Sequence, residues 1–154
     1  MNERINGDLN PSKTLHRGLW VAQLLVGAVF IAIGTMKVTQ PIVVLGETFG
    51  WPATVPAGLV RFIGVAELLG GLGLILPAAT RIKPMLTPLA GAGLATAMLF
   101  AAIFEISRGD FGAVPLPLVL GGLAAFIAWG RATRARITSR PGGIRNVQGK
   151  LGRS

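Results

Sequence analysis

"RFIGVAELLGGLGLILP", residues 61–77, is apolar apart from Arg61 and Glu67. With the residues just before it, it forms a run over about 57–76. That is near the ~20 residues an α-helix needs to cross a hydrocarbon core of ~30 Å. A charged side chain at the bilayer centre costs ~2.5–3.5 kcal/mol on insertion scales, so such residues turn toward a bundle interior and find partners there. The stretch therefore reads as a membrane span, and its two charges ask what they meet.

Three further runs match it: about 15–36, 85–106 and 113–130. Of the 154 residues 51% are hydrophobic and only 14% charged, against about 25% charged in a soluble domain of ordinary composition. Mean hydropathy is +0.62, which agrees with a membrane protein of a single domain. The expected fold is all-α, a four-helix transmembrane bundle. Residues 1–14 form a polar N-terminal segment, and residues 131–154 form a basic tail with seven Lys and Arg and no acid. Such a tail has little apolar area to bury, is expected to be disordered and lies near anionic headgroups. The segment 37–56 reads as a long loop, with short connections at 77–84 and 107–112. Prolines stand at the entries to spans two, three and four, where a missing N–H is unneeded. The N-terminal run is too long for a signal-peptide core and no A-x-A site follows it, so it should remain as a span.

Twelve Lys and Arg fall on the side of the two termini and the second loop; Lys37 and Arg108 fall on the other. The positive-inside rule then puts both termini in the cytoplasm, with localisation in a prokaryotic cytoplasmic membrane. The lipid bilayer is the first partner; nucleic acid is not expected.

The polar groups within the spans share faces. On a wheel of ~100° per residue, Gln23, Gly27, Phe30, Gly34 and Lys37 occupy an arc of about 80°. Arg61, Gly64, Glu67 and Gly71 lie on one side of span two, and Thr87, Gly91, Leu94, Met98, Ala101 and Glu105 form a stripe on span three. Small residues let helix backbones approach, so Gly27, Gly34, Gly64, Gly71 and Gly91 are expected at helix contacts. The candidate polar cluster or ligand pocket comprises Lys37, Arg61, Glu67, Glu105 and Gln23. Arg61 is expected to pair with Glu105, and Glu67 with Lys37 or Gln23. The cluster is read either as an ion-pair network that sets helix register or as a polar pocket, open to the outer side, that binds a ligand or moves a proton.

The chemistry available is narrow. The absence of Cys excludes disulfides, iron–sulfur clusters and thiolate metal sites, and the single His16 excludes bis-His haem within one chain. No metal site and no catalytic residue are assigned. "GGLGL" lies inside a span without a strand or Lys and reads as helix packing, not as a phosphate loop.

"GWPATVPAGLVRFIGVAELLGGLGLILP", with "IGTMKV" before it and "AMLFAAIFEISRGDF" after it, resembles the DoxX-like family of small four-span membrane proteins. The resemblance covers about 18–131 and is strongest in R-x-x-G-x-x-E-x-x-G, here Arg61, Gly64, Glu67 and Gly70, followed by Pro77. Family members often carry a His near the outer end of span three, where this chain has Glu105. The resemblance implies the fold and membrane placement; activity varies across the family. The first reading is a non-catalytic accessory or scaffold subunit. The alternative is a quinone-binding subunit of a membrane oxidoreductase complex, and a small-solute transporter ranks third. No cofactor of its own is expected, with quinone the one open ligand class. An oxidoreductase protein or a second copy of the chain is an open partner.

Overall fold

The computed structural model describes residues 11–83 and 85–134. They form α1 (Pro11–Thr39), α2 (Ile42–Phe49), a 3-10 turn (Trp51–Thr54), α3 (Ala57–Thr80), α4 (Leu86–Ser107) and α5 (Pro115–Trp129), which runs on as a π-helical turn over Gly130–Arg134. Four of these helices are long and apolar enough to cross a membrane: Thr14–Thr39, Ala57–Thr80, Leu86–Ser107 and Pro115–Thr133. Among the described residues there is no strand.

Several boundaries differ from those read in the sequence. α1 begins earlier and ends later than the run 15–36, because a helix does not stop where hydropathy does. α3 continues through Pro77, which had marked the end of span two. Pro77 leaves the Gly73 carbonyl without its i+4 donor, a single bond lost near the helix end, and the residue is buried. The segment 37–56 is not an open loop. α1 takes its first residues, then α2 buries Leu45 and the 3-10 turn buries Pro52. Gly50 stops α2 with φ 76, a left-handed conformation that glycine adopts without a Cβ clash, and its N–H bonds Gly46 O at 2.8 Å. The sequence puts the start of the basic tail at 131, but Arg131 is buried in the π turn. The expectations for residues 1–10 and for the tail beyond 134 lie outside the described residues.

The spans pair unequally. α1 packs most extensively on α3, and α4 on α5; α3 touches α4 less, and α1 touches α5 less still. Glycine explains the first pairing. A Cβ on Gly34 would stand 2.6 Å from Leu68 N, and one on Gly71 would stand 2.7 Å from Gly27 O. Gly64 meets the backbone and Cβ of Lys37 at similar range. Gly91 does the same for α4 against α5, 2.9 Å from Ala124 O. With no hydrophobic drive between helices in lipid, such close backbone approach supplies the packing attraction. Phe30, Leu74, Leu94, Met98, Leu120 and Ile127 fill the centre, while Val21, Leu25, Phe62, Leu69, Leu99 and Val119 point outward.

Two ends can be distinguished. The long-loop end carries residues 40–56 and 108–114. The terminal end carries the start of α1, the α3–α4 connection and the π turn.

Candidate functional site

At the long-loop end α1 stops because Pro41 cannot continue it. The carbonyl of Lys37 would accept from the N–H four residues on, and Pro41 has none. Arg61 on α3 supplies the missing donor, its Nη1 bonding Lys37 O. A guanidinium at a helix C-terminus also meets the negative end of the macrodipole. Arg61 is thus a cap for α1, delivered by the neighbouring helix.

The Lys37 side chain turns inward. Its Nζ is 2.7 Å from Glu67 Oε1, and both residues are buried, at 6% and 2% exposure. The ammonium also faces the rings of Trp51 at 5.2 Å and Phe49 at 5.7 Å. Trp51 in turn stands edge-on to Phe104, centroids 6.4 Å apart. Aromatic faces attract a cation and shield it from water. The other carboxylate oxygen, Glu67 Oε2, is buried and has no hydrogen-bond partner.

Beside this pair lies a cavity of about 780 Å³. Its walls are mostly apolar, from Phe30, Ile63, Met98, Ala101 and Leu120; its polar groups are Lys37, Glu67, Glu105, Thr48 and Ser107. An apolar cleft with a few convergent polar groups is the usual form of a small-molecule site.

The profile of the DoxX-like family matches residues 21–127, most of the chain. The chain belongs to the DoxX-like family. No curated protein matches it, and no solved structure does. It is an integral membrane protein, as its four apolar helices also require.

The structure of this DoxX-like protein brings together Lys37 and Glu67, with Arg61 held to the same turn of α1. Of the expected pairings, Glu67 with Lys37 or Gln23 is met by Lys37, and Arg61 with Glu105 is corrected. Arg61 does not pair with Glu105: it reaches α1, while Glu105 accepts from Arg108, just past the end of its own helix, at 3.2 Å. Gln23 does not join Glu67. It shares a face with Lys37, but fourteen residues at 1.5 Å each put it about 21 Å away along α1.

Gln23 belongs to a second cluster at the terminal end. Its Nε2 donates to Leu74 O, and its Oε1 accepts from Arg131 Nε at 2.8 Å. Arg131 is 3% exposed, lies over the Trp20 ring at 5.1 Å and places Nη1 3.3 Å from His16 Nδ1. Trp20 Nε1 is 3.1 Å from His16 Nε2. This cluster ties the end of α5 to the start of α1 in the DoxX-like bundle.

Phe49, Trp51, Phe104 and Arg131 were not among the residues singled out from the sequence as a site. Aromatic residues in a loop signal an interface, not which cation they cover. Arg131 is the first basic residue after span four, and the count of basic residues hid it among tail residues.

Proposed function

We propose that this DoxX-like protein is an accessory subunit that binds a quinone-type ligand in the cavity at its long-loop end, in a prokaryotic cytoplasmic membrane with both termini in the cytoplasm. The observation that supports this reading is a buried ion pair set in the wall of an apolar cavity. The cavity volume lies within the range of small-molecule sites, and the polar groups suit such a head. Lys37 Nζ can donate to a carbonyl oxygen of a ring head, and the unpartnered Glu67 Oε2 can accept from a hydroxyl or hold its proton. Phe49 and Trp51 keep water from the pair. A quinone, when bound, supplies the redox chemistry, and a partner protein supplies the electrons. The residues of this chain bind and orient the head and manage its proton.

A scaffold role is the second reading. It is favoured by the mutual neutralisation of Lys37 and Glu67, which an ion pair that only sets the register of α1 on α3 would also show. Transport ranks below both, since none of the four spans is broken at mid-membrane.

The test is titration of the protein in nanodiscs with a short-tailed ubiquinone, followed by Trp51 fluorescence in a variant with Trp20 and Trp129 replaced by Phe. Saturable quenching that Lys37→Met weakens about tenfold, roughly 1.4 kcal/mol, supports the reading. Quenching that does not saturate, or an affinity unmoved by both Lys37→Met and Glu67→Gln, removes it and leaves the scaffold. For orientation, reporter fusions at residues 45 and 140 should report opposite sides, with residue 140 cytoplasmic.

A further inference from the structure

We infer that the cavity fills sideways from the membrane, through a seam between α3 and α4, and that its ligand carries a single hydrocarbon chain that stays in this seam while an uncharged head sits at Lys37 and Glu67. This rests on reading the cavity as a ligand site; the route and the chain are new.

The seam follows from how α3 and α4 meet. Toward the terminal end they touch: a Cβ on Gly70 would stand 2.5 Å from Leu94 Cδ2, and one on Gly73 would stand 2.9 Å from Ala90 Cβ. Toward the long-loop end the facing rows line the cavity instead. On α3 the row is Leu59, Ile63 and Glu67; on α4 it is Ala97, Phe100 and Phe104. Leu59 and Phe100 are 45% and 66% exposed, so the same side chains bound the cavity and face the lipid. The α3 row is graded, from exposed Leu59 through half-buried Ile63 to buried Glu67, about 12 Å along the helix at 1.5 Å per residue. A hydrocarbon chain can lie along such a row without meeting a charge before the carboxylate.

The end of the bundle is covered. Phe49 and Trp51 lie over Lys37, and Trp51 abuts Phe104. Entry along the bundle axis would have to displace these rings, whereas entry from the lipid need not. The charges select the head. Lys37 and Glu67 cancel, and Arg61 turns to Lys37 O rather than lining the cavity, so the pair offers an anion no net charge, while a carbonyl finds a donor in Lys37.

The probe is a monoacylglycerol with a diazirine on its chain next to the ester, which is neutral, carbonyl-bearing and single-chained, added to the full-length protein in nanodiscs. After brief illumination, labelled positions are read by mass spectrometry. Labels are expected on Phe30 and Met98, which line the cavity and are buried from the lipid face, in addition to outward Leu99. Ala97→Trp, which fills the seam, should cut the ratio of inner to outer labels by about fivefold, a change of about 1 kcal/mol, and Trp51→Ala, which uncovers the end, should not raise it. If Ala97→Trp does not fold, Phe100→Ala widens the seam and should raise the ratio. Labels confined to Leu99 and its outward neighbours overturn the inference. So does a ratio that ignores both seam variants, or one that rises several-fold in Trp51→Ala. The two readings fail separately. Inner labels that persist while quinone affinity ignores Lys37→Met leave the side entry and remove the head site. Lys37-dependent quinone binding without inner labels does the reverse.

Discussion

Both ends of the bundle bury a cation, and they hold it differently. At the long-loop end Lys37 meets a full counter-charge in Glu67, beneath two aromatic rings and beside a cavity. At the terminal end Arg131 has no carboxylate. It meets the amide oxygen of Gln23, a ring nitrogen of His16 and the face of Trp20, and none of these four residues lines the cavity. The first arrangement is neutral and keeps a spare acceptor, Glu67 Oε2, for something else. The second keeps its charge and has an unpartnered donor, Arg131 Nη2. His16 adds a shortage. A neutral imidazole has one acceptor nitrogen, while Trp20 Nε1 and Arg131 Nη1 each approach one of its two ring nitrogens, so it can satisfy only one of them. The first cluster is built as a site and the second as a lock between α1 and α5. The family match runs from residue 21 to residue 127, so the pocket residues fall inside it, while His16, Trp20 and Arg131 fall outside.

The comparison breaks most sharply at Glu67. Glu67→Ala strands the Lys37 ammonium, and the expected loss is about 1–3 kcal/mol, between the ~0.6 average of polar pairs in membranes and the ~3–5 of buried pairs in soluble proteins. Lys37→Met with Glu67→Leu removes both charges and should recover part of that loss in thermal unfolding of the extracted protein. A double variant no better than the single would mean the pair is not what holds α1 to α3.

Arg131→Met should cost less, about 1 kcal/mol, because it leaves only the neutral Gln23 oxygen without a donor. Melting temperature checks the rank, and a loss larger than that of Glu67→Ala would reverse the assignment of site and lock. His16→Ala should cost about 0.5 kcal/mol or less, since the ring satisfies one donor at a time. Quinone affinity should be unchanged in both variants; a change would couple the two ends.

The smallest effect is expected from truncation. Ending the chain at Arg134 keeps Arg131 and should leave the melting temperature within about 1 °C, because the removed residues are mostly polar or glycine and have little apolar area to bury. Ending it at Gly130 should reproduce the Arg131→Met loss. The difference between the two truncations isolates the lock.

Much of this was legible from the chain. Hydropathy over helical lengths marks the four spans, and the period of 3.6 puts Gly34, Gly64, Lys37 and Glu67 on inward faces, because both signals are local. The orphaned carbonyl of Lys37 was not among the features read from the sequence, although Pro41 follows at the position where its donor should be. Gln23 shows where this reading stops. Angle around a helix comes from spacing alone, but depth must be read separately, and grouping by face joined two residues about 21 Å apart.

By itself, the sequence determined the membrane placement, the helical architecture and which faces turn inward. These follow from apolar length and periodicity, which no neighbour can alter. Only the tertiary structure decided which partner each charge takes. Glycine draws α1 onto α3 and so sets Lys37 against Glu67, while α3 and α4 part on the long-loop side of Gly70, leaving Arg61 nearer a carbonyl of α1 than Glu105. A charge within a span chooses among groups a few ångströms away, and which groups are that close depends on helix crossing and splay, to which residues distant in the chain contribute together.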